Sequence, residues 1–103
     1  MLPTLQDALQ YMGFDYEDPM VSLNAQRALN SAIAAMHGAV GEDAEEYLPD
    51  DPRITELVLT YTDDLYSERG VSTKVSYATR RLVSDMELQL RMELRRAKEA
   101  ADS

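Results

Sequence analysis

The stretch VSYATRRLVSDMELQLRMELRRA, from Val75 to Ala97, decides the fold class. At about 100° per residue, Val75, Ala78, Leu82, Val83, Met86, Leu90, Leu94 and Ala97 fall on one broad face of a helix. Arg80, Arg91, Arg95 and Lys98 gather on the opposite side. Leu88 and Met92 form a separate apolar pair, one turn apart and off the main stripe. A helix of roughly 23 residues is about 35 Å long. The radius of gyration expected for a globule of about 100 residues is only about 13 Å. Such a helix should therefore project, and a second apolar spot on a projecting helix suits a partner.

Reading back toward the N-terminus gives three more helical segments. The spacing predicts a helix over about Arg53 to Arg69, with Ile54, Leu57, Val58, Tyr61 and Leu65 on its apolar face. Another runs from about Ser22 to Val40, where Ala25, Leu29, Ala32, Met36 and Ala39 recur at three- and four-residue spacing. Its six alanines make it thin, which places it at the centre of a bundle. The first helix spans about Leu5 to Met12, with Thr4 as N-cap and Asp7 completing a capping box. Gly13 and Gly41 serve as stops. Phe14 to Pro19 and Gly41 to Pro52 read as acidic loops, the second too charged to pack well. Val71 to Thr73 could pair briefly as a strand. The expectation is an all-α single domain over residues 1–103, a small bundle of about four helices with a long C-terminal helix. Its core would centre on Ala32, Met36, Leu57, Val58, Tyr61, Leu65, Leu82 and Met86.

Charge is unevenly distributed. Residues 1–52 carry ten acidic residues against the single base Arg27, a net of −9. Residues 74–98 carry seven bases and three acids, a net of +4. Unlike patches on one molecule suit head-to-tail association of copies. The expected contact sets Arg80, Arg91 and Arg95 with the Leu88–Met92 spot against Asp15, Glu17, Glu45 and Glu46 of a neighbour. Two solvated surfaces with no such role remain the plainer account of the same charges.

The residues offer little chemistry. There is no cysteine, so there is no disulfide and no thiolate ligand. The one histidine, His37, has no second histidine with which to build a metal site. The acids Glu42, Asp43, Glu45, Glu46, Asp50 and Asp51 lack the ligand order of a calcium loop. Asp63 and Asp64 point about 100° apart on a helix. The four glycines are isolated and form no phosphate loop. We expect no catalysis, no metal and no cofactor. The N-terminus shows no signal peptide and no apolar run is long enough to span a bilayer.

A family resemblance enters through the second half of the chain. The run Ile54-Thr55-Glu56-Leu57-Val58-Leu59-Thr60-Tyr61, continued by Asp64-Leu65-Tyr66-Ser67-Glu68-Arg69-Gly70, resembles the third helix and following turn of the head–tail connector (adaptor) proteins of tailed bacteriophages. Val75 to Val83 and Leu88 to Arg95 resemble the C-terminal helix of one branch of that family. Helix 1 is shorter than the family pattern, and the acidic loop 41–52 replaces a smaller connection. The resemblance implies a ring, dodecameric to match the portal protein, that docks beneath the portal after DNA packaging. It implies extension of the DNA channel and a platform for the next connector or tail-completion protein. DNA would pass through without specific binding. The protein would then be assembled in the host cytoplasm and reside in the virion at the head–tail junction.

Two other readings stay open on sequence. One is a small helical regulator or adaptor that binds one protein partner through its C-terminal helix. The other is a nucleic-acid-binding protein using the basic side of that helix, where Arg80, Arg91, Arg95 and Lys98 could meet phosphates. Glu87, Asp85 and Glu93 interrupt that side and suit a salt-bridged exposed helix instead.

Overall fold

The computed structural model describes residues 2–14, 18–67 and 77–102. The chain is all-α, and no strand occurs among the described residues. Among the described residues five helices follow one another: α1 (Leu5–Tyr11), α2 (Pro19–Ala39), α3 (Ala44–Tyr47), α4 (Pro52–Ser67) and α5 (Tyr77–Asp102). The envelope measures 50 × 28 × 18 Å with a radius of gyration of 14.6 Å, elongated because α5 alone is about 39 Å long.

The starts of α1, α2 and α4 each have a local cause. Thr4 caps α1 by accepting from the Asp7 amide at 3.2 Å, and the Asp7 carboxylate takes the Thr4 amide at 2.9 Å. At the far end of α1, the Phe14 amide bonds the Leu9 carbonyl at 2.9 Å and the Gly13 amide bonds that of Gln10 at 3.1 Å. This is the two-bond helix stop that needs a left-handed residue, and Gly13 supplies it with φ +88°. The Asp18 carboxylate accepts from the Met20 and Val21 amides, with Pro19 at the first helical position. The second helix therefore begins three residues before the expected Ser22. Asp51 and Pro52 repeat the device at α4, where Asp51 accepts from the Arg53 amide at 2.9 Å. The fifth helix extends to Asp102, five residues beyond the expected Ala97. The expected Val75 start, the expected end at Arg69 and the Val71–Thr73 strand lie outside the described residues.

The helices α2 and α4 form the main packing layer. Ala25, Ala28, Leu29, Ala32 and Met36 of α2 are buried, as are Ile54, Leu57, Val58 and Leu59 of α4. Leu90 and Leu94 close the core from α5. The buried Thr62 hydroxyl is satisfied by the Val58 carbonyl at 2.7 Å. Tyr61, Leu65 and Met86 pack half-buried against this core.

Two expectations are corrected. Leu82 is not a core residue: it is 60% exposed, because α5 meets the bundle through Val83, Met86, Leu90 and Leu94, and Leu82 lies at the edge of that face. The acidic segment 41–52 is not a loop that fails to pack. It contains α3, whose Ala44 is fully buried and whose Tyr47, with the following Leu48, rests on the core. Ala44, Tyr47 and Leu48 anchor the turn, while Asp43 pairs with Lys98, Asp51 with Arg53, and Glu45 bonds His37.

Candidate functional site

The most distinctive surface lies where the end of α2 meets the C-terminal half of α5. Val40 follows the last turn of α2 and is buried. Gly41 turns the chain with φ +153°, and a Cβ there would stand 2.5 Å from Cδ2 of Leu94. The absence of a side chain lets the backbone press against α5. An open groove results, lined by Val40, Gly41, Leu88, Arg91, Met92, Leu94, Arg95 and Lys98. It holds about 630 Å³, room for several side chains of an incoming segment. Leu88 and Met92 are about half exposed, so the groove offers water-facing apolar area that could be covered. Arg91 and Arg95 add positive charge along the same helix.

An acidic cleft adjoins the groove and shares Gly41 and Lys98 with it. Glu42, Asp43, Glu45 and Glu46 line it. The Lys98 ammonium stands 2.7 Å from the Asp43 carboxylate and holds that carboxyl below its ordinary value. Glu45 bonds His37 Nε2 at 2.6 Å, tying α3 to the last turn of α2. His37 thus has a structural partner within the chain.

A second polar cluster fixes the angle of α5 on α4. Arg53 bonds Asp51 at 2.7 Å and also Glu93 of α5. Asp51 holds the guanidinium pKa above its ordinary value, with Glu93 adding to the effect. The same guanidinium holds the Asp51 carboxyl low. Nearly two turns earlier on α5, Glu87 accepts from the Tyr61 hydroxyl, and burial with that bond pushes the phenol pKa up. Phe14 meets Tyr66 edge-on, with ring centroids 5.4 Å apart, joining the end of α1 to the end of α4.

The structure brings four of the expected interface residues, Leu88, Arg91, Met92 and Arg95, into one groove, and sets Glu45 and Glu46 in the cleft beside it. Asp15 and Glu17 lie outside the described residues. Arg80 lies in α5, and nothing is described of its side chain. Sequence reasoning missed Val40, Gly41 and Asp43 as parts of the surface. The signal at Gly41 was present, since a glycine after a helix end can serve close approach as well as termination.

Among the described residues, no three His, Cys, Asp or Glu side chains are grouped to hold a metal ion. No described helix is long and apolar enough to cross a membrane. No family model matches the chain, and neither a curated protein nor a solved structure is similar to it.

Proposed function

We propose that this protein is a structural head–tail connector subunit that assembles as a ring beneath the portal of a tailed bacteriophage. In this reading it extends the DNA channel and supports the next connector or tail-completion protein. It resides in the virion and performs no catalysis. The observation that carries the reading is the Leu88–Met92 groove with its arginines, on a molecule whose net charge is −9. Apolar area flanked by cations is suited to a negatively charged protein surface, and further copies of this chain supply one. An acidic channel wall would repel the DNA backbone and keep it moving. Exposed ion pairs contribute only about 0–1 kcal/mol each, so free subunits should associate weakly. A portal that holds many copies close together raises their effective concentration and supplies the missing drive.

Reversing charge at the exposed Arg91 and Arg95 (R91E/R95E) tests the reading. The variant should fold normally, because exposed substitutions seldom cost more than about 0.5 kcal/mol. Particles should then package DNA yet leak it or lack tails. Normal numbers of tailed, infectious particles would remove the groove from assembly. The same result on deleting the gene would remove the connector reading. The helical-adaptor reading uses the same groove and differs in outcome: it gives a soluble one-to-one complex and no higher assembly.

A further inference from the structure

The groove at the α2–α5 junction has a counterpart at the other end of α2. Met20 is 64% exposed and Leu23 is 46% exposed, one turn apart on the same helix face. Asp18 stands at the start of that helix, and Asp15 and Glu17 precede it in sequence. Leu23 and Val40 are seventeen residues apart, which is about 25 Å along the helix axis. One molecule thus carries an apolar spot beside Asp18 at one end of α2 and an apolar groove with cations at the other.

We infer that the groove of Leu88, Arg91, Met92 and Arg95 receives the Met20–Leu23 end of α2 from a second copy of this chain. The inference rests on the self-association proposed above and names the surface that meets the groove. Charge decides between this contact and the obvious competitor. If two grooves met across a two-fold axis, Arg91 and Arg95 of each copy would approach the same arginines of the other, and like charges at an interface are unfavourable. Against those arginines the Asp18 carboxylate at the start of α2 meets no such penalty, and it also offsets the positive end of its own helix. Arg27, also exposed and one turn beyond Leu23, comes toward the acidic cleft that borders the groove. The contact is heterologous, so each copy keeps one unfilled end and the chain of copies continues until it closes.

The absence of cysteine makes the test direct. Single variants M20C and M92C, both at exposed positions, are prepared alone, mixed, and combined in one chain. They are oxidised at high protein concentration and resolved on denaturing gels, with circular dichroism as the check on folding. A disulfide forms only where Cα atoms come within about 7 Å. The mixture should give a covalent dimer, each single variant alone should stay monomeric, and the double variant should give a ladder. Adding Leu23→Asp to the double variant should abolish the ladder. Dimers from M92C alone would establish two-fold pairing of grooves and overturn the inference. A double variant that stops at dimer would overturn the head-to-tail arrangement, and no cross-link in the mixture would overturn the contact itself. The two readings fail separately. If R91E/R95E particles lack tails while no cross-link forms, the groove holds another protein and the connector reading survives. If the ladder forms but gene deletion leaves normal particles, the contact stands and the connector reading falls.

Discussion

Replacing Gly41 by alanine should be among the most costly single-methyl changes in this protein. Two separate effects add. The backbone at Gly41 has φ +153°, a region that side chains avoid, and holding a non-glycine residue there costs about 1–3 kcal/mol. The new Cβ would also stand 2.5 Å from the Leu94 Cδ2 atom. Leu94 is only 4% exposed and packs in the core, so its methyl can give way only by leaving those neighbours for the groove it lines, and overpacking of this kind costs roughly 1–3 kcal/mol. The sum is about 2–6 kcal/mol, against a total stability on the order of 5–15 kcal/mol for a typical domain. Urea unfolding followed by circular dichroism should show a lower midpoint at unchanged slope. Leu94→Ala removes the atom that clashes. In that background G41A should cost only its backbone part, giving a coupling of about 1–3 kcal/mol between the two sites. A loss below about 0.5 kcal/mol for G41A, or strictly additive losses in the double variant, would refute the close approach.

Leu57→Ala should cost about 2–5 kcal/mol because the side chain is fully buried, whereas Leu82→Ala at a 60% exposed site should cost less than about 0.5 kcal/mol in the isolated protein. Equal losses in urea titrations would contradict the placement of α5. The Arg53 guanidinium holds the Asp51 carboxyl below its unfolded value of 3.8, so its contribution is present above that value and lost as pH falls through the lower folded value. Stability measured at stepwise lower pH should therefore fall more steeply for the wild type than for Asp51→Asn, and parallel curves would sever the link. Thr4→Ala removes the hydroxyl that caps α1 and should cost about 0.5–2 kcal/mol, read from the thermal midpoint.

The all-α class and the faces of the major helices were legible because long amphipathic repeats carry their own period. The capping box at Thr4 and the stop at Gly13 were legible because each is a local bargain between neighbouring residues. The start of α2 was misread at Ser22, although Asp18-Pro19 is a capping acid followed by a proline with no amide to satisfy. Leu82 was misplaced for a different reason. Periodicity gives a broad stripe, but not which edge of it meets the bundle, and Val83 and Met86 pack where Leu82 does not. The acidic segment was misjudged because charge was averaged over twelve residues, while Ala44, Tyr47 and Leu48 supply the apolar contacts by which it docks. Of the candidate surface, Leu88, Arg91, Met92 and Arg95 could be read as one helical patch. Val40 and Gly41 could not join it on paper, since their meeting with α5 is tertiary.

The alanines along α2 set a ceiling on volume. Ala25 and Ala32 are fully buried and Ala28 nearly so, in the helix that packs most extensively against α4. At such a seam the limit is girth, and greasiness matters less. Glycine or serine would leave the spacing of the two helices intact at modest cost, while valine or leucine, though better hydrophobes, would wedge them apart. Sequence change tolerated along this seam should therefore track side-chain size across the polar–apolar divide, and a hydropathy profile would be a poor guide to which variants fold.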